Sequence, residues 1–331
     1  MAARRTLLLD GGMGHLLRRL GVRISGPFGS SERFLGVALA NLSQPELVKS
    51  AHLAYIEAGA EYITTNNYAC VPHCLSLAGQ EDSKERFTKD QMIEYISAAG
   101  SIARDAAESA DKAVKVAGCL PPLGPSYHID TKHSDDELYQ EYKDIATAIA
   151  PYCDILLCET MASVREGTAA ARAGVEAGLP VWVSFTLSER ANCSLRSGED
   201  ISIAAESCQT INGVEAVLIN CSSIEATTKA IPKLRGCLPS SFQVGGYANG
   251  MICDSGNNSS ADGTSSSQST NVKPAEPQIK DSYNDCCPES YAAEAMNWVK
   301  DGATIVGGCC GIFPEHIAAL NKKIASVEKA A

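Results

Sequence analysis

The sequence is short of positive charge, of long apolar runs and of nucleotide-binding patterns, and each shortage removes a class of function. Its 331 residues hold 28 Lys and Arg against 39 Asp and Glu, a formal net charge of −11, with a pI near 5.1. No basic cluster exceeds Arg4-Arg5 or Arg18-Arg19, so nucleic acid and anionic membrane surfaces are poor partners. No apolar run approaches the roughly 18 residues of a membrane span. The N-terminal apolar stretch is only "TLLL" before Asp10, too short for the core of a signal peptide. A cytoplasmic protein is expected. The GxSxG and phosphate-loop patterns are missing, and no glycine run has dinucleotide-fingerprint spacing. His15, His52, His73, His128, His133 and His316 show no metal-ligand spacing, and all six read as packed or solvated.

What is present is enough hydrophobic residue, 45%, for a well-buried core. Near-continuous apolar runs recur: "TLLLD", "EYITT", "VKVAGC", "DILLCE", "VWVSFT", "AVLINC", "FQVGGY" and "TIVGGC". Runs of this kind suit strands buried on both faces. Helical patterns alternate with them, as in "QPELVKSAHLAYIEAGA", where Pro45 marks a start and Gly59 an end. Strand and helix signals in strict alternation predict an α/β fold, a (β/α)8 TIM barrel in one domain over 1–331. A doubly wound open sheet is the alternative. The segment 253–287 breaks the alternation. It is rich in Ser, Asn, Gly and Asp and nearly free of apolar residues, and it reads as a flexible insertion after strand seven.

The fourteen cysteines accompany no export signal, so clustered ones point to metal binding or catalysis before disulfides. In a barrel the active site lies at the C-terminal ends of the strands. Those ends carry Asp10, "TTNNY", Cys158-Glu159-Thr160, Asn220-Cys221, Tyr247 with Asn249, and Cys309-Cys310. Three thiols, Cys221, Cys309 and Cys310, converge on one rim from strands six and eight. Three thiolates suit zinc, and three protein ligands with one open position are the pattern of a catalytic site. The other adjacent pair, Cys286-Cys287, has no strand beneath it and reads as an exposed loop pair. Asp10 and Glu159 are rim carboxylates suited to an ammonium group or to acid/base work. The alternative reading of Asp10 is that it serves only the Asp-Gly-Gly turn.

"LLLDGGMG", "EAGAEYITTNNY", "LLCETM", "LINCSS" and "VGGCCGIFPEHI" together resemble the homocysteine S-methyltransferase family, from residue 6 to about 325. The resemblance implies a (β/α)8 barrel and Zn2+ held by Cys221, Cys309 and Cys310. It implies that Asp10 and Glu159, with the backbone of Gly11 and Gly12, hold the amino-acid end of homocysteine, and that Thr65 and Asn249 lie near the substrate. Relatives divide among sulfonium, betaine and methylfolate donors. The chain ends soon after "CCGIFP", without the longer arm or added domains of the betaine and folate users. A sulfonium donor is therefore expected, S-methylmethionine before S-adenosylmethionine, and a monomer before an oligomer. Cys119 stands where the family usually has serine, Cys158 where a larger residue is common, and Ile312-Phe313 where threonines are common. Two other readings stay open: a different thiol or selenol methyltransferase, and a thiol-rich module that stores metal or senses oxidation.

Overall fold

The computed structural model describes residues 5–22, 31–76, 88–188, 193–250 and 286–329. The insertion expected at 253–287 lies outside them, apart from its last two residues. The eight strands are β1 (Leu7–Leu8), β2 (Tyr62–Thr64), β3 (Lys115–Leu120), β4 (Ile155–Met161), β5 (Val181–Phe185), β6 (Val214–Asn220), β7 (Gln243–Tyr247) and β8 (Ile305–Val306). Each overlaps an apolar run read from the sequence; β3 and β4 run on past the ends of theirs, to Leu120 and Met161, and β6 starts before its own, at Val214. All neighbours pair in parallel, in the order β1-β8-β7-β6-β5-β4-β3-β2. A parallel bridge between Leu9 and Tyr62 joins the two ends of that row. The sheet is a (β/α)8 barrel, and the open-sheet alternative falls away.

Eleven α-helices occur among the described residues. Between β1 and β2 lie α1 (Met13–Arg19), α2 (Ser31–Ser43) and α3 (Pro45–Ala58); α4 (Pro72–Leu75) and α5 (Lys89–Glu108) follow β2. One helix then follows each strand: α6 (Asp135–Ile149), α7 (Val164–Glu176), α8 (Ile201–Gln209), α9 (Ile224–Cys237), α10 (Pro288–Lys300) and α11 (Pro314–Glu328). Local chemistry fixes the starts. Thr88 and Ser134 cap α5 and α6 with full capping boxes, and Ser163, Asp200 and Ser223 cap α7, α8 and α9. Pro45 opens α3, and Gly59 closes it in the left-handed conformation at φ 115°. The sequence patterns did not mark α1, α2 or α4. Two of them are one or two turns long, and α1 starts on Gly12 with no capping side chain.

The core has two layers. The larger lies between sheet and helices. The smaller fills the barrel and is built on Leu9, Tyr62, Leu157, Trp182, Leu218 and Ile305, with the Tyr62 and Trp182 rings 4.8 Å apart. Strand residues alternate in direction, so two positions beyond the barrel-filling residues the chain again faces inward. There stand Thr64, Cys119, Glu159, Ser184 and Asn220. The barrel is thus apolar at mid-height and polar at its C-terminal end, and that polar layer is the floor of the site.

Candidate metal centre and substrate cavity

Cys221, Cys309 and Cys310 meet at the rim, with their sulfurs all within 4.8 Å of one another. The Cys221 and Cys309 sulfurs are 2.7 Å apart. Cys221 follows β6 with φ 48°, a left-handed backbone that turns its side chain back toward the axis. Its carbonyl accepts the Thr186 hydroxyl at 3.1 Å. Below it, the buried Asn220 amide is saturated. Its oxygen accepts Thr160 N–H at 3.0 Å and the Ser184 hydroxyl at 2.7 Å, and its nitrogen donates to Thr160 Oγ1 at 2.8 Å. A satisfied buried amide of this kind holds the strand end rigidly.

The 309–312 turn is tied to both neighbouring strand ends. Cys309 N–H donates to Ala248 O at 3.0 Å, and Cys310 O accepts Gly250 N–H at 2.8 Å. Gly311 N–H donates to His15 Nδ1 at 2.8 Å. Ile312 O accepts Gly12 N–H and the Tyr55 hydroxyl, each at 2.9 Å. A Cβ at Gly12 would lie 2.6 Å from Cys309 O, and one at Gly11 2.5 Å from Ile312 O. Both positions must therefore be glycine for the turn to seat. The Gly12 N–H is engaged by that turn.

The donor set suits zinc. Neighbouring Cys309 and Cys310 thiols hydrogen-bond toward Cys221 and hold its ionisation well below the usual thiol range, while their own is pushed up. One sulfur ionises readily, and a cation would draw out the other two. Tetrahedral zinc with bonds of about 2.3 Å sets its sulfurs roughly 3.8 Å apart, inside the 4.8 Å that encloses these three.

Two carboxylates share the cavity. Asp10 accepts Thr64 N–H at 2.7 Å and the Thr64 hydroxyl at 3.1 Å. Burial, with Glu159 nearby, pushes its carboxyl up to about 8. Glu159 accepts the Tyr247 hydroxyl on one oxygen and the Cys119 thiol on the other, both at 3.1 Å, and burial pushes it up to about 7. Neither has a cationic partner among the described residues. A pair of this kind favours a ligand that brings a positive charge.

The remaining expected residues divide. Gly11, Gly12 and Thr65 line the cavity. The Thr65 hydroxyl is already engaged, donating to Asn67 at 2.6 Å and accepting Cys119 N–H at 2.9 Å. Asn249 stands outside the lining. It is anchored by its N–H to Ser222 O, and its Oδ1 is buried without a partner among the described residues. The reading of Cys286-Cys287 as an exposed pair needs correction. Cys286 is buried, its N–H bound to Gly250 O and its carbonyl to His316 Nε2 at 2.7 Å. Only Cys287, at the start of α10, is exposed.

Of the departures noted in the sequence, Cys158 is fully buried in the outer core layer, and Ile312 packs fully buried behind the thiols. Only Cys119 faces the site. Sequence reasoning missed Tyr68, Tyr127 and His15, which also line the cavity. The first two sit in loops that follow strands, and the rule that those loops build a barrel's site is the signal that points to them.

The family model for homocysteine S-methyltransferase matches residues 7–324. The chain belongs to the homocysteine S-methyltransferase family. Family likeness runs end to end. A homocysteine S-methyltransferase of Escherichia coli (strain K12) is 26% identical, over 96% of this chain and 94% of its own. The Bacillus subtilis homocysteine S-methyltransferase YbgG is 25% identical, over 94% and 92%. Among solved structures, the metallated form of the E. coli homocysteine methyltransferase MmuM superposes with a TM-score of 0.71 at 25% identity, covering 97% of this chain and 96% of that one.

Proposed function

We propose that this chain moves a methyl group from a sulfonium donor, S-methylmethionine before S-adenosylmethionine, to the thiol of L-homocysteine, giving methionine. One zinc ion would be held by Cys221, Cys309 and Cys310. The observation that carries the reading is one cavity bearing three convergent sulfurs and two carboxylates without a cation. The first set matches a soft metal and a substrate thiol. The second matches the substrate's ammonium group.

When bound, zinc supplies a positive centre that favours the thiolate of a substrate sulfur in its fourth position. The chain's own residues do the rest. Asp10 and Glu159 take the ammonium and fix the direction of the substrate chain. Cys119 and Tyr247 hold the two Glu159 oxygens in place. The donor sulfonium loses its charge as it loses its methyl group, so no protein base is required, and catalysis reduces to aligning the two sulfurs.

The test is a methyl-transfer assay on zinc-loaded protein with homocysteine and a panel of donors. Turnover is expected with S-methylmethionine, at one zinc per chain. Failure with every donor would sink the reading, and several zinc ions per chain would favour a metal store.

A further inference from the structure

Tyr127 is a cavity residue with no part in the mechanism above. It lies in the loop between β3 and α6, with φ 70°, a backbone region that a bulky side chain occupies only when its surroundings impose it. Four non-glycine residues among those described have positive φ, and three of them, Tyr127, Thr160 and Cys221, line this one cavity.

The surroundings that impose it are visible. The Arg196 guanidinium carbon is 4.8 Å from the Tyr127 ring centroid, so one ring face already receives a cation. The preceding residue, Ser126, shares a 2.9 Å hydrogen bond with the Tyr68 hydroxyl. Tyr127 lines the same cavity as Cys221, Cys309 and Cys310. The side chain is 37% exposed, which places it between solvent and the thiols.

Charge completes the picture. The lining holds Asp10, Glu159 and three thiols, with no Lys or Arg among the described residues. An anionic donor would be repelled there and a cationic one drawn in. Aromatic rings present a negative face to cations, including onium ions without a hydrogen-bond donor. We propose that Tyr127, with Tyr68 beside it, forms the wall of an onium subsite against which the positive sulfur of the methyl donor rests. The proposal rests on the methyl-transfer reading and extends it to the donor.

The step balances without a further reactant. The donor's S–CH3 bond breaks and its electron pair stays on the donor sulfur, which leaves as a neutral thioether. A pair from the homocysteine thiolate forms the new S–CH3 bond. The aromatic wall favours the charged donor over the neutral product, so its loss should raise the donor's KM more than it lowers kcat.

The experiment is an NMR titration of zinc-loaded protein with trimethylsulfonium ion and with neutral dimethyl sulfide. Wild type should bind the cation about tenfold more tightly than the sulfide, Tyr127→Phe should keep the preference, and Tyr127→Leu should lose most of it. Tyr68→Leu is the second variant, expected to lose part of it. Homocysteine KM and zinc stoichiometry should not move. Equal binding of cation and sulfide by wild type, or an unchanged preference in both leucine variants, would overturn the subsite. Wild-type protein that binds the cation selectively yet transfers no methyl group would overturn the reaction and leave the subsite standing.

Discussion

The chain has two adjacent cysteine pairs, and they are built differently. Cys309-Cys310 follows β8, and the four-residue turn that carries it is pinned by Ala248, Gly250, His15, Gly12 and Tyr55. Cys286-Cys287 leads into α10 with one member buried and the other in solvent. The Cys286 sulfur faces the Cys287 carbonyl at 3.8 Å, and the Cys287 sulfur faces Glu289 at 3.2 Å. Adjacency in sequence does not converge two sulfurs. A backbone held on both sides at a strand end, facing a third sulfur, does.

The largest effect should come from the sulfurs themselves. Cys309→Ser or Cys310→Ser should lose the zinc and with it at least ~1000-fold in methyl transfer, the scale of losing an activated nucleophile. Cys286→Ser with Cys287→Ser should keep one zinc per chain and near-normal turnover. Metal analysis beside steady-state kinetics checks both.

Next comes the carboxylate that the thiol site faces. Glu159→Gln should raise homocysteine KM at least ~30-fold, since removing one partner of a buried charge pair costs about 2–5 kcal/mol. In wild type, homocysteine binding should weaken as pH falls through about 8 and then 7, where Asp10 and Glu159 take up protons. Cys119→Ala should produce a smaller version of the Glu159 effect, about fivefold for one lost hydrogen bond, and Cys119→Ser should restore it. If 4-mercaptobutanoate, which lacks the amino group, loses affinity equally in Cys119→Ala, the ammonium role is wrong.

Tyr55→Phe removes one of the two donors to Ile312 O. It should weaken zinc retention by about fivefold, one hydrogen bond's worth, read by competition with a chelator. An equal loss in a variant of Cys286-Cys287 would erase the distinction between the two pairs.

The smallest effect is on stability. His52, inside α3, is fully buried with neither nitrogen partnered among the described residues, and burial lowers its ionisation to about 3. The unfolded chain then binds more protons than the native one between about 6.5 and 3, so His52 costs stability as pH falls through that window. Asp10 and Glu159 act with the opposite sign. Raised in the folded state, they cost stability as pH rises from about 4 toward 8. Urea melts across pH, with His52→Leu as control, should show a flatter acid limb in the variant alone.

Strand positions were legible because a strand buried on both faces must be apolar throughout, and all eight ran true. The three sulfurs were legible because strand ends in a barrel share one rim. Tyr127 was not, since its position depends on a left-handed backbone held by Arg196, a residue 69 positions on. The burial of Cys286 was not, since it follows from a histidine 30 residues later. That the Thr65 hydroxyl is already engaged was not legible in "TTNNY" either, since Asn67, two residues on, becomes its partner only when the turn forms.

Asp10 follows the first strand and Cys309 the last, and Gly308 N–H donates to the Asp10 carbonyl at 2.9 Å where they meet. The site therefore sits on the seam of the barrel. A nascent chain carries Cys221 and Glu159 long before it carries Cys309, and until the last strand docks beside β7, itself beside β6, neither Cys309 nor Cys310 faces Cys221. Metal capture thus reports the docking of the last strand, and a ribosome-bound or truncated chain that lacks it should take up none.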